Sequence, residues 1–190
     1  MYNCKRLETD EITLIYKRYM KKDFPRNELR PLIMIKKSLS LGQYDCFGIF
    51  DENALCGYAF FASITQNGKK YYLLDYFATL SKKRGQGIGS EFIKLLRQEL
   101  SSAEMVICEV ENPEFAVADE QKKRLRRIEF YKRNGFINTN VKANVFGVDF
   151  LLLELNINNP HKEENVKTAY YELYKKLIPR CLFNRNIRLI

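Results

Sequence analysis

The sequence is short of the side chains that most metal and triad chemistry requires. It has one histidine, His161, set in a polar stretch, so neither a metal centre nor a histidine-based triad can be assembled from it. Its five cysteines, Cys4, Cys46, Cys56, Cys108 and Cys181, are odd in number, far apart and never spaced C-x-x-C, which excludes a disulfide frame and a zinc knuckle. No apolar run approaches the roughly 18 residues that a membrane span needs. The opening "MYNCKRLETDE" has no apolar signal-peptide core, so the expectation is a cytoplasmic protein with no membrane partner. Glycine is scarce too, with nine in 190 residues, yet Gly85, Gly87 and Gly89 stand together.

Those three glycines sit in "YYLLDYFATLSKKRGQGIGSEFIKLLRQEL", residues 71–100. An apolar run leads into a basic turn, and Ile88, Phe92, Leu95, Leu96 and Leu100 then follow at helical spacing, so the stretch reads strand, glycine turn, helix. Bare backbone at alternate positions lets several N–H groups point at one ligand. The helix start adds unpaired N–H groups and the positive end of a dipole, and Lys82, Lys83 and Arg84 add charge. The ligand expected there carries phosphate. A nucleoside-triphosphate loop is excluded because no Lys-Ser/Thr follows the glycines, and G-x-G-x-G does not match the dinucleotide spacing G-x-G-x-x-G.

Arg84-Gly85-Gln86-Gly87-Ile88-Gly89 resembles the pyrophosphate loop of the GNAT N-acetyltransferase superfamily, Arg/Gln-x-x-Gly-x-Gly/Ala. Downstream, "RRIEFYKRNGF" (residues 126–136) is similar to that superfamily's helix-to-strand segment, with Phe130, Tyr131, Gly135 and Phe136 in the matching places. A strand-like "EMVICEVE" (residues 104–111) lies between the two motifs, and the resemblance covers about residues 44 to 155. It implies an α+β, three-layer GNAT-type fold: a mixed, mostly antiparallel central sheet with flanking helices, here with a C-terminal helical extension.

The resemblance also implies acetyl transfer from acetyl-CoA, as co-substrate and without a metal, to the primary amine of a small molecule or peptide by direct attack in a ternary complex. On it, Arg84, Gly85, Gln86, Gly87, Ile88, Gly89 and Ser90 hold the coenzyme pyrophosphate. Main-chain groups of Phe77, Ala78 and Thr79 hold its pantetheine arm, and Phe24 lies on the acceptor side. Tyr131 matches the position that protonates the departing sulfur, work suited to a phenol of pKa near roughly 10. An amine of pKa roughly 10.4 must lose a proton before it can attack. Glu109 in "CEVEN" looks like the glutamate of the corresponding strand in ribosomal-protein N-terminal acetyltransferases and is the first choice of base; Glu111 and Asp75 stay open for that role and as acceptor contacts.

Along the chain, the pattern predicts a first strand at 2–7, helices over 10–22 and 32–41, and strands at 44–50, 55–64 and 70–80 with an Asn67-Gly68 hairpin turn. A strand follows at 105–111, a helix from about 119 to 134, and strands at 136–139 and 146–155. Residues 1–156 form the expected domain. Residues 157–190 form an extension whose helix stripe, Val166, Ala169, Tyr170, Leu173, Tyr174, Leu177 and Ile178, is too apolar for water. It packs on its own core or on a second copy in a homodimer, and the alternation of "CLFNRNIRLI" suggests an edge strand. Residues 121–133 carry seven Lys/Arg against one Glu. Without a helix-turn-helix, zinc or RNP pattern that charge supports only salt-sensitive, non-specific contact, so nucleic acid is not the expected partner. The other reading of the whole chain is a non-catalytic acyl-CoA-binding or regulatory module that has kept the loop.

Overall fold

The computed structural model describes residues 1–26, 28–157 and 159–190. Its chain divides into two compact units, one of Met1–Ser63 and Asp75–Glu99, the other of Ile64–Leu74 and Leu100–Ile190. The fold is a mixed, mostly antiparallel eight-stranded sheet with flanking helices, in strand order β1-β2-β3-β4-β5-β7-β6-β8. No helix among the described residues is long and apolar enough to cross a membrane.

The first unit contains β1 (Tyr2–Arg6), α1 (Thr9–Ile15), α2 (Lys21–Asp23), α3 (Leu32–Ser40), β2 (Tyr44–Asp51), most of β3 (Ala54–Gln66), the end of β4 (Lys69–Thr79) and α4 (Ile88–Glu99). Helix α1 opens with Glu8 N–H donating to the Glu11 carboxylate at 2.9 Å, which satisfies one of the orphan groups of a helix start. The continuous helix expected over 10–22 is interrupted by a π turn, Tyr16–Met20, between α1 and α2. Ile12, Ile15 and Met20 are the buried positions, and the step from 15 to 20 is one residue longer than an α turn supplies, so the wider turn keeps Met20 in the core.

That core is aromatic. Tyr44, Phe47, Tyr58, Phe60 and Phe61 are buried on β2 and β3, and Tyr44–Phe60, Tyr58–Phe60 and Phe60–Tyr76 meet edge to face with ring centroids 6.3, 5.8 and 6.4 Å apart. A buried phenol needs a partner for its hydroxyl, and each finds one. Tyr44 donates to Asp75, Tyr58 to Asp23 at 2.7 Å, and Tyr76 to the Glu28 carbonyl at 2.8 Å.

In the second unit, Asn67 and Gly68 take the turn between β3 and β4 with φ of 51° and 76°, the primed-turn geometry expected of Asn-Gly. The start of β4 runs parallel to β5 (Met105–Glu111), with Tyr71 opposite Met105. β5 pairs antiparallel with β7 (Val148–Leu155), and β7 with β6 (Phe136–Val145). The strand expected to stop at Thr139 continues to Val145, because Thr139–Val141 form a bulge between Asn138 and Lys142; Asn140 takes φ 60°, and Thr139 Oγ1 donates to the Leu152 carbonyl at 2.7 Å.

Helices α5 (Ala118–Arg133), α6 (Glu163–Leu177) and α7 (Arg180–Asn186) complete this unit, with β8 (Ile187–Leu189) on the edge beside β6. The strand expected from 181 onward is therefore formed only by its last residues. Pro179, whose carbonyl accepts from Leu182 and Phe183 N–H at 2.9 and 3.0 Å, starts a helix there instead. The apolar stripe of α6 is covered within the unit: Val166, Tyr170 and Leu173 are fully buried, and α6 lies against β6.

Leu173 fills that contact with no exposure. Leu173→Ala should lower the unfolding free energy by about 2–5 kcal/mol, read as a fall in the urea midpoint at unchanged m-value. A midpoint within error of wild type would show that α6 contributes nothing to stability.

Candidate active site

The expected site residues divide between the two units. Phe24, Asp75, Phe77, Ala78, Thr79 and residues 84–90 belong to the first; Glu109, Glu111 and Tyr131 belong to the second.

In the first unit β4 ends at Thr79, a short 3-10 turn (Ser81–Lys83) follows, and α4 begins at Ile88. Gly85 and Gly87 take φ of +78° and +77°, and a Cβ built on either meets nothing within 4 Å. The loop's outer side is open, and only glycine holds that backbone without strain. The Gly87 carbonyl accepts from Ser90 and Glu91 N–H at 3.0 and 3.1 Å, so the ladder of α4 starts at Gly87 and the first-turn N–H groups of Ile88 and Gly89 precede it. Ile88 is buried and anchors the helix start, while Gly85, Gln86, Gly87 and Ser90 are exposed. A diphosphate fits this cradle: open backbone N–H groups, a helix N-terminus, and the cations Lys82, Lys83 and Arg84.

Arg84 is held back toward the strand. Its Nε donates to the Thr79 carbonyl at 3.2 Å and its Nη2 to Asp23 at 3.3 Å. Phe77 stacks on Phe92 of α4 with centroids 5.5 Å apart, and Ala78 is buried. Phe24 stands edge-on to Tyr76 at 5.0 Å, and the Tyr76 hydroxyl accepts from Arg30 N–H at 2.8 Å, which ties the segment after α2 to β4. Asp75 accepts from the Tyr44 hydroxyl and lies 3.4 Å from Arg30 Nε. Burial, and then the Asp75 charge, push the Tyr44 phenol well above its ordinary range.

In the second unit, consecutive side chains of β5 project to opposite sides, as strand alternation requires. Cys108 meets Tyr131 of α5, whereas Glu109 meets α6, accepting from the Tyr170 hydroxyl and from the Tyr174 hydroxyl at 2.7 Å. Tyr131 is buried between Phe130 and Phe136, with ring centroids 5.4 and 4.9 Å away. Burial first, and the neighbouring Cys108 second, push its phenol well above the ordinary tyrosine range. Burial likewise pushes the Cys108 thiol up to about 12. Glu111, at the strand end, turns to α5 and lies 3.3 Å from Arg124 Nε and 3.7 Å from Arg127 Nη1. Among the described residues no cluster of three or more His, Cys, Asp or Glu side chains is placed to hold a metal ion.

Sequence reasoning missed Tyr170 and Tyr174 as partners of Glu109, and Asp23 and Tyr58 beside Arg84. In the sequence, the two helix tyrosines read only as members of an apolar stripe; a phenol pair at i, i+4 was the available signal.

Comparison with known proteins bears on the family and the fold. The family model of the GNAT acetyltransferase domain matches residues 42–138, just over half of the chain. The fold is shared with a GNAT-family protein from Bacteroides thetaiotaomicron, at TM-score 0.69 and 22% identity over 90% of this chain and 96% of that one. It is also shared with the ribosomal-protein alanine N-acetyltransferase of Escherichia coli, at TM-score 0.58 and 17% identity over 85% and 97%. A third structure, Arabidopsis thaliana Naa50 in complex with the bisubstrate analogue CoA-Ac-MVNAL, gives 0.54 and 13% over 80% and 97%. No curated protein matches the sequence. The chain belongs to the GNAT acetyltransferase family.

The burial of Cys46, Cys56 and Cys108, set against the exposure of Cys181, predicts selective thiol chemistry. At pH 8 an aromatic disulfide reagent should react rapidly with one thiol per folded chain, Cys181, and with all five only after denaturation. Rapid reaction of Cys108 in the folded protein would contradict its placement beneath α5.

Proposed function

We propose that the protein is an N-acetyltransferase that moves an acetyl group from acetyl-CoA to a primary amine by direct attack within a ternary complex. The observation that carries this reading is the β4–α4 turn, where Gly85 and Gly87 at positive φ leave backbone N–H groups and a helix start open to a diphosphate. Acetyl-CoA, when bound, supplies an acetyl thioester. The chain's own groups then have three tasks: anchoring the coenzyme, taking a proton from the amine, and giving one to the sulfur.

Anchoring falls to residues 84–90, with main-chain groups of Phe77, Ala78 and Thr79 along the pantetheine arm. Arg84 would exchange Asp23 for phosphate, since both are anions and a doubly charged diphosphate is the stronger partner.

Glu109 serves as base. Asp75 and Glu111 are each already engaged by arginine, at 3.4 Å from Arg30 and at 3.3 and 3.7 Å from Arg124 and Arg127. Glu109 is met by two neutral phenols. Asp75, Glu111 and Phe24 are left as acceptor contacts. Tyr131 serves as acid: its raised pKa keeps the proton on the phenol until a thiolate appears beside it. As the nitrogen–carbon bond forms, the ammonium proton passes to Glu109. As the carbon–sulfur bond breaks, the Tyr131 proton passes to sulfur, leaving an amide and a free thiol.

The acceptors named for two relatives, a ribosomal-protein alanine and the peptide portion of a bisubstrate analogue, support a peptide N-terminus as the first amine to try, with small amines beside it. Thiol release from acetyl-CoA, followed with an alanine-terminated peptide, a lysine peptide and spermidine, should show acceptor-dependent turnover. Coenzyme binding without release by any amine of a broad panel would favour the binding-module reading. Tyr131→Phe should lower kcat by roughly 10²-fold with acetyl-CoA affinity unchanged; a wild-type kcat would reduce Tyr131 to packing.

A further inference from the structure

We infer that α6 of the C-terminal extension is part of the catalytic unit, with Tyr170 and Tyr174 as positioning residues that hold the Glu109 carboxylate. The inference rests on the reading of Glu109 as base. The two tyrosines stand at i and i+4 on one face of α6, with ring centroids 4.9 Å apart, and both hydroxyls fall on the same oxygen, Oε1. Tyr170 is fully buried and Tyr174 nearly so.

Packing does not require this pair. Phenylalanine would fill the same volume without bringing a hydroxyl out of water, a transfer that is unfavourable unless the hydroxyl is bonded. What the hydroxyls add is a fixed carboxylate. Two of its roughly four lone-pair sites are occupied, which sets the plane of the group and favours its ionised form. A general base needs both properties, geometry first and then charge state. Burial, and then Glu109 itself, keep the Tyr170 phenol protonated far above neutral pH, so it remains a donor.

Around Glu109, Tyr170 and Tyr174 come from α6, and its register partner on β7 is Leu152, an apolar residue. Arg127 of α5 is engaged with Glu111 at the strand end. The tyrosines lie outside residues 42–138, the part of the chain that the family model matches, so the clamp is a device of this chain's extension.

The test uses the full-length protein with carbon-13 at the glutamate carboxyl, Glu109 being assigned by the signal lost in Glu109→Gln. Removing donors that favour the carboxylate should raise its titration midpoint, by about one pH unit in Tyr170→Phe/Tyr174→Phe. With the alanine-terminated peptide or spermidine as acceptor, kcat at pH 7 should fall roughly tenfold while KM for acetyl-CoA stays put. Tyr174→Phe alone, at the more exposed position, keeps the test open if the double variant fails to fold, with a smaller shift of the same sign. An unmoved midpoint, or a moved midpoint with unchanged kcat, overturns the clamp. Full activity in Glu109→Gln overturns instead the base assignment, and the titration still decides whether the tyrosines hold the carboxylate.

Discussion

The turn between β4 and α4 depends on one backbone constraint. Two residues must take positive φ with nothing projecting from the outer side, and Gly85 and Gly87 do so at +78° and +77°. Any other residue would bring both strain and a side chain to the place where first-turn N–H groups must remain open. The surrounding sequence serves that geometry. Ile88 is buried and fixes where the helix begins, Phe77 and Phe92 stack to join strand to helix, and Arg84 is tied to the Thr79 carbonyl. In the proposed reading, the helix dipole and three cations would select the sign of the ligand, and the glycines its closeness.

Elsewhere, the charges of this basic chain are arranged so that most acids near the expected site are occupied. Asp23 faces Arg84 and Tyr58, Asp75 faces Arg30 and Tyr44, and Glu111 faces Arg124 and Arg127. Contacts of this kind are modest in stability when exposed. Glu109 accepts from two phenols, Tyr170 and Tyr174. The same strand carries Cys108 to the other side, against Tyr131 of α5.

The glycine turn, the Asn67-Gly68 hairpin and the strands from 44 to 111 were legible in the sequence because each is a local matter of φ preference and alternation. What escaped it is non-local or a compromise. The π turn at Tyr16–Met20 follows from where Met20 must be buried, and helical spacing alone gives no notice of that. The bulge at Thr139–Val141 looks like a strand end until β7 is present to pair with its far side. Residues 181–190 read as an edge strand, but they follow a proline that starts a helix over Arg180–Asn186. The partners of Glu109 lie 61 and 65 residues away, beyond any motif, in a stripe whose tyrosines are indistinguishable from packing residues.

The claim on which the functional account rests is that the loop's backbone binds a diphosphate, and calorimetry with coenzyme A and with pantetheine, which lacks the diphosphate, tests it most directly. The account predicts that coenzyme A binds, that pantetheine binds far more weakly, and that Gly87→Glu, which places a side chain and a negative charge in the cradle, abolishes the coenzyme A signal in a protein that still melts cooperatively. Equal affinity for the two ligands, or unchanged coenzyme A affinity in the folded variant, would contradict it.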